Sequence, residues 1–253
     1  MKQKKIIWGM TFVIALIICL ICGYKIITYF LSDDEDMQEY INTNTTSTNS
    51  NSPQYGENHD INWDKLQKDN SDIYSWIYIP NTNVDYPVVQ ASKDEPDDFY
   101  LNHNIHKQSE FAGAIYSEKH NAKDYSDPVT ILYGHNMKNG SMFKTLHQFE
   151  DSAFFKSNKF IYVYMPNQKL TYKIYAAYVY DDRHILNSFD FSDKKILKDY
   201  QKYTLNPESM TKNTRNVTLN ANSKILTLST CTNGAENTRY LVQGVLIKNE
   251  HTN

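Results

Sequence analysis

The residues best suited to chemistry centre on one cysteine near the C-terminus. The chain has three cysteines, and Cys19 and Cys22 fall inside an apolar run, where we interpret them as small apolar filler. Cys231 is therefore the one cysteine of the polar part of the chain. An unpaired cysteine in such a segment is either buried filler or a working thiol, and its surroundings decide between the two.

The sequence around Cys231 predicts a β-hairpin that brings an arginine next to it. Ser223 to Cys231 (SKILTLSTC) and Thr238 to Lys248 (TRYLVQGVLIK) are rich in β-branched residues and predict two strands, with the turn signal Asn233-Gly234 between them. Antiparallel pairing then sets Arg239 opposite Cys231. A guanidinium stays protonated and carries a rigid fork of donors, so it can favour a thiolate or hold a developing oxyanion.

A cysteine nucleophile also uses an imidazole as acid and base, and His135 is the best placed of the eight histidines. Asp127 to Tyr133 (DPVTILY) predicts a turn and an apolar strand, so Gly134-His135-Asn136 begins the loop at its end. His103 and His106 have metal-like spacing but lack a completing ligand, which favours solvated loop positions. The remaining histidines are predicted to lie in the termini or at ordinary surface positions: His59, His251, His120, His147 and His184.

Composition excludes several classes of protein. The 26 Lys and Arg against 29 Asp and Glu give a net charge of −3 over 253 residues, whereas a nucleic-acid binder needs a basic face. A hydrophobic content of 40% is too high for a wholly disordered chain. We therefore expect one sizeable core and no nucleic-acid partner.

The N-terminal part of the chain predicts a membrane anchor. Residues 6–24 are uncharged, and at about 1.5 Å per residue such a run spans the hydrocarbon core. Lys2, Lys4 and Lys5 precede it, so the N-terminus is expected in the cytoplasm and the rest of the chain outside. A cleaved signal peptide is the alternative, but the run exceeds the usual apolar region and no Ala-x-Ala-like site follows. We assign residues 1–31 to the cytoplasmic N-terminus and anchor, 32–60 to a flexible polar tether and 61–253 to a catalytic domain.

The motif Thr227-Leu228-Ser229-Thr230-Cys231 matches the TLxTC signature of sortases, and Arg239 follows where their catalytic arginine lies. The chain resembles class B sortases over about residues 65 to 247. The further matches, in order, are Trp76-Ile77-Tyr78-Ile79-Pro80, Asp85-Tyr86-Pro87-Val88-Val89-Gln90, Phe99-Tyr100-Leu101 and Leu132-Tyr133-Gly134-His135-Asn136.

The resemblance implies a mainly β fold, a closed sortase-type β-barrel of about eight strands with N-terminal helices and one extra helix in the long loop before the cysteine strand. Ser192 to Thr204 supplies that extra helix, because Ile196, Leu197 and Tyr200 fall on one face. The segment from Trp63 to Trp76 is expected to supply the N-terminal helices.

The resemblance also implies roles for individual residues. Cys231 would attack a threonine carbonyl of a C-terminal sorting signal to give a thioester. His135 would protonate the departing amine and later deprotonate an incoming one, while Arg239 would hold the substrate backbone and the oxyanion. Tyr133, Ser229 and Ile185 are carried over as substrate-binding residues. This chemistry requires no metal and no organic cofactor.

The expected function is therefore that of a membrane-anchored cysteine transpeptidase facing the cell wall. Its expected partners are secreted proteins bearing a sorting signal, a peptidoglycan amine and the plasma membrane through the N-terminal helix. The alternatives are a pilin-polymerising sortase, a cysteine transpeptidase that remodels peptidoglycan and a non-catalytic extracellular adhesion or scaffold domain.

Overall fold

The computed structural model describes residues 12, 15–25, 59, 61–233 and 237–252. The chain divides into two units, residues 1–49 and 50–253. In the first unit, residues 15–25 are helical and almost all exposed. Over the ranges just given, we find no helix with both the length and the apolar character that a membrane crossing requires. Most of the predicted anchor, and all of the predicted tether except residue 59, lie outside the described residues.

The second unit is built mainly from strands. Its strands are β1 Ile73–Tyr78, β2 Asp85–Gln90, β3 Ile115–Ser117, β4 Val129–Tyr133, β5 Phe160–Met165, β6 Gln168–Asp181, β7 Lys212–Thr214, β8 Ile225–Cys231 and β9 Thr238–His251. Its α-helices are α1 Trp63–Asp69, α2 Ser152–Ser157, α3 Ile185–Ser188 and α4 Lys194–Leu205, and 3-10 helices cover Phe99–Leu101 and Lys144–Glu150.

The strands close into a barrel. The sheet order is β5-β1-β2-β3-β4-β8-β9-β6-β7, and a further pairing of β5 with β6 joins the two ends into a ring of eight strands. The short strand β7 pairs with β6 outside this ring. The β2–β3 and β4–β8 pairs are parallel, whereas the other pairs are antiparallel. The predicted closed, mainly β barrel of about eight strands is confirmed.

The long connection from β6 to β8 contains the extra helix that the sequence predicts. Helix α4 begins after Asp193, whose carboxylate accepts hydrogen bonds from the N–H groups of Lys195 and Ile196. Leu197 and Tyr200 are buried and join a cluster with core residues of β4, β6, β8 and β9. The predicted range of 192–204 differs from the observed helix by two residues at the start and one at the end.

The N-terminal helical region is shorter than expected. Helix α1 begins after Asn62, whose side chain accepts from the Lys65 N–H, and it ends at Asp69. Trp76 lies fully buried in β1, where it pairs with Pro87 of β2. A helix is therefore present at the start of the expected segment, whereas its last residues form β1, because the β-branched and aromatic residues there favour a strand buried in the barrel wall.

Candidate active site

The hairpin formed by β8 and β9 sets the cysteine beside the arginine. The two strands pair antiparallel, with Ser229 opposite Leu241 and Cys231 opposite Arg239. The first six residues of β8 are buried and Cys231 is exposed. The pairing of β8 with β4 ends at Ser229, two residues before Cys231. The predicted register is confirmed, and the thiol lies at the surface rather than in apolar packing.

The parallel pairing of β4 with β8 brings the histidine to the same end of the barrel. Tyr133 pairs with Ser229, and the Gly134 N–H donates to the Ser229 carbonyl at 3.2 Å. Because both strands run in the same direction, His135 follows Tyr133 by two residues just as Cys231 follows Ser229. The imidazole therefore comes to the barrel end that carries the thiol.

The His135 ring is held on one side by the segment before β3. Its Nε2 lies 2.7 Å from the carbonyl oxygen of Leu101, and its ring stacks on Phe111 with the centroids 5.3 Å apart. A carbonyl oxygen only accepts, so Nε2 carries the proton in this contact. Nδ1 is then the ring nitrogen that can take up or release a proton toward a substrate.

One cavity of about 230 Å³ brings together the predicted site residues. Its lining includes all six of them, namely Cys231, His135, Arg239, Tyr133, Ser229 and Ile185. Ser229 and Ile185 are almost fully buried and Tyr133 is half-buried, so each presents only part of its surface. A peptide entering the cavity would contact these three residues beside the cysteine.

Two tyrosines form a neutral aromatic wall of this cavity. Tyr116 and Tyr133 stack with their ring centroids 5.3 Å apart. Burial raises the pKa of both phenols well above the ordinary value, and the carboxylate of Glu118 raises it further. The charges of Arg239 and Cys231 also act on the Tyr116 pKa, in opposite directions. Both phenols therefore stay protonated and can donate hydrogen bonds to a bound peptide.

His184 lines the same cavity and was wrongly predicted to be an ordinary surface residue. Its Nε2 lies 2.7 Å from Glu118 Oε2, and its Nδ1 accepts from the Asn187 N–H at 3.1 Å. These contacts make it the N-cap of α3, the helix that begins with Ile185. His184 therefore fixes the position of a predicted substrate-binding residue.

An ion pair between Arg183 and Asp181 forms the rim of the cavity next to α3. Arg183 makes a bidentate contact with Asp181, with Nη2 2.7 Å from Oδ2, and its guanidinium lies over the Tyr180 ring at 5.6 Å from the centroid. Arg183 lowers the pKa of the Asp181 carboxyl through these hydrogen bonds. The pair is exposed to solvent, so we assign it a local ordering role rather than a large stability.

Two further side chains reach the main chain of the nucleophile and were not predicted. Asn136 Nδ2 donates to the Cys231 carbonyl at 2.9 Å, and His147 Nε2 lies 3.0 Å from the same oxygen. The His147 side chain is only 9% exposed, so its prediction as a surface residue was wrong. These contacts cross 95 and 84 residues of sequence and end on a backbone atom, which no residue-type motif reveals.

Comparisons with known proteins agree with this geometry. The family model described as Sortase domain matches residues 77–247. The chain is 33% identical over 184 residues to Sortase B of Listeria monocytogenes, with 72% of each chain covered. Sortase B from Bacillus anthracis, solved in complex with AAEK1, superposes with a TM-score of 0.71 at 26% identity, covering 88% of this chain and 99% of that one. A Staphylococcus aureus sortase B–substrate complex gives a TM-score of 0.64 at 26% identity, covering 73% and 84%.

Proposed function

Because this chain belongs to the sortase family and is a sortase B-type cysteine transpeptidase, we propose that it is anchored in the membrane, cleaves the C-terminal sorting signal of secreted proteins and transfers them to a peptidoglycan amine. The observation that carries the proposal is one cavity lined by an exposed cysteine, the facing arginine of the same hairpin and a histidine from the neighbouring strand end. These three groups supply a nucleophile, an oxyanion partner and a proton carrier.

In the first half-reaction, the Cys231 thiolate attacks the carbonyl carbon of the scissile amide. The negative charge that develops on the carbonyl oxygen is stabilised by Arg239, which the register sets opposite Cys231. The C–N bond breaks as His135 protonates the departing amine. The products are a thioester on Cys231 and a released C-terminal fragment.

In the second half-reaction, an amine of peptidoglycan attacks the thioester. His135 removes a proton from this amine, so that a new amide bond forms as the C–S bond breaks. The released Cys231 thiolate and the protonated His135 restore the starting state. The three residues thus exchange one acyl group between two amines, and no external oxidant or cofactor enters the balance.

The wall of the cavity supports a peptide substrate. Tyr133, Ser229 and Ile185 are proposed to contact the sorting signal, since each lines the cavity on a different element: β4, β8 and α3. The Staphylococcus aureus relative has been solved with its substrate, which supports a related use of this cavity here. The short stretch from Ser229 to Cys231 would then align the peptide with the thiol.

The proposed location rests on the N-terminal sequence. The uncharged run of residues 6–24 and the lysines before it favour an anchor over residues 1–31, a polar tether over 32–60 and an extracellular catalytic domain over 61–253. A thiol reagent that cannot cross membranes should label Cys231 in intact cells. Labelling only after the cells are opened would contradict this orientation.

The activity is tested with the purified full-length protein and a panel of quenched sorting-signal peptides, with and without an amine acceptor. We expect cleavage by the wild type, loss of cleavage in Cys231→Ala and retention in the matched control Cys19→Ala. Mass spectrometry should detect the acyl group on Cys231. Cleavage that survives Cys231→Ala would refute the mechanism.

A further inference from the structure

A second imidazole, that of His147, contacts the main-chain carbonyl of Cys231. Strand β4 ends at Tyr133, and its last ladder contact with β8 is the bond from the Gly134 N–H to the Ser229 carbonyl. The next β8 carbonyl on that edge belongs to Cys231, because alternate carbonyls of a strand point the same way. Strand β4 has ended before this carbonyl, so its hydrogen-bond partners come from side chains instead.

Side chains replace the missing strand at this position. The chain turns away after His135, whose carbonyl accepts from the Phe143 N–H. The Asn136 side-chain amide and the His147 ring then both reach the Cys231 carbonyl, at 2.9 and 3.0 Å. The Asn136 amide also donates to Asn233 Oδ1 at 3.1 Å. The loop of His135 and the strand end of Cys231 are thus tied to each other through side chains.

His147 is itself fixed from two sides. Its Nδ1 lies 2.6 Å from Glu150 Oε1, one turn later in the same 3-10 helix. Its ring stacks on Tyr240 of β9, with the centroids 4.8 Å apart and an interplanar angle of 24°. Both ring nitrogens therefore face oxygen acceptors, a carboxylate and a main-chain carbonyl. Both contacts are hydrogen bonds when the ring carries two protons and a positive charge.

We propose that His147 and Glu150 form a positioning pair that holds the Cys231 carbonyl and so fixes the nucleophile at the mouth of the cavity. This inference rests on the proposed function of Cys231 and adds a residue to it. His147 touches the main chain of the nucleophile and not the substrate, so it is a positioning residue. The titratable and charged groups around it are Glu150 from its own helix, Tyr240 from β9 and Cys231 from β8, with Lys144 bonded to Asn233 beside them.

The test uses the full-length chain with Cys19 and Cys22 replaced by alanine, so that Cys231 is the single thiol. Two sets of quantities are measured: kcat and KM for a sorting-signal peptide, and the rate of alkylation of Cys231 by iodoacetamide at one fixed pH. Thermal unfolding is recorded for every variant. His251→Ala, a change at the exposed far end of β9, is the matched control and should behave as the unchanged protein.

We expect His147→Ala to lower kcat about tenfold, or about 1.4 kcal/mol of barrier, with KM within twofold of its starting value. The rate of alkylation of Cys231 should change together with kcat, because the main chain of Cys231 is no longer held at the mouth of the cavity. His147→Gln keeps a side-chain N–H donor. It should restore both kcat and the alkylation rate to within threefold of their starting values.

An unchanged kcat and an unchanged alkylation rate in His147→Ala would overturn the proposal, and so would a His147→Gln variant as slow as the alanine variant. If His147→Ala does not fold, Glu150→Gln decides, since it keeps the side-chain shape and removes only the carboxylate charge. A wild-type alkylation rate and a wild-type kcat in Glu150→Gln then refute the pair. A wild-type chain that cleaves no peptide would refute the proposed function, whereas the alkylation arm would still test His147.

Discussion

Gly134, the residue before His135, tests how the barrel positions the imidazole. A Cβ atom at this position would lie 2.5 Å from Ile115 Cδ1 and 2.8 Å from Phe143 Cδ2. Carbon atoms in ordinary contact are about 3.5–4.0 Å apart, so a methyl group would overlap both neighbours. Ile115 and Phe143 are 1% and 0% exposed, and neither can move into solvent. Gly134→Ala must therefore push the His135 loop or its packing aside.

The expected cost follows from this overlap. Overpacking in a core lowers the free energy of unfolding by about 1–3 kcal/mol, which lowers Tm by about 2–12 °C for a domain of this size. A displacement of about 1 Å in a catalytic group costs about 10²-fold in rate. We therefore expect Gly134→Ala to lower kcat for peptide cleavage by about 10²-fold while the protein remains folded at 25 °C.

Gly244→Ala provides the matched control. A Cβ atom there would lie 2.9 Å from Tyr172 Cβ, between β9 and β6, and neither residue lines the cavity. This variant should lose a similar amount of Tm in thermal circular dichroism and keep its kcat. Wild-type kcat and Tm in Gly134→Ala would refute the packing argument. An equal loss of kcat in both variants would show that stability, and not the position of His135, controls the rate.

Three further predictions concern charge, capping and pH. Arg239→Lys keeps the cation opposite Cys231 but loses the planar fork of donors, so kcat/KM in the peptide assay should fall about 10²-fold. A wild-type kcat/KM in this variant would contradict the oxyanion role of Arg239. Asp193→Ala removes the N-cap of α4 and should lower the free energy of unfolding, measured in urea, by about 0.5–2 kcal/mol. An unchanged urea midpoint would contradict the role of Asp193 as the N-cap. Burial raises the pKa of Tyr74 and of Tyr180 from 10.0 to about 12. Between these two pKa values the folded chain keeps protons that the unfolded chain releases. The free energy of unfolding should therefore stay constant below pH 10 and fall between pH 10 and 12. Tyrosinate absorbance that develops in this range without any loss of stability would contradict this prediction.

Local sequence rules predicted the elements around the nucleophile. The β-branched run of residues 225–231 and the turn signal at Asn233 predict a hairpin, and the length of the turn then sets Arg239 opposite Cys231. The extra helix was predictable from its apolar face, because Leu197 and Tyr200 pack into the core. These features depend on neighbours within a few residues of each other.

The features that the sequence did not predict depend on contacts between distant segments. The role of His184 depends on Glu118, 66 residues away, and His147 reaches a backbone atom 84 residues away. Both histidines have ordinary surroundings in the sequence. The misassigned segment near Trp76 differs in cause: its β-branched and aromatic residues already favour a strand, which pairs with β2 and β5 in the barrel wall.

Cys231 and Arg239 come from one hairpin, so their spacing can persist while other parts of this enzyme diverge. Cys231 and Arg239 are registered by backbone bonds within one hairpin, whereas Ile185 belongs to the long insertion between β6 and β8. Exchanging that insertion for one of another length would leave the sulfur-to-guanidinium spacing intact, because no ladder bond between β8 and β9 passes through it. New peptide preferences could thus accumulate by drift in one segment while the reactivity of the thiol is inherited unchanged.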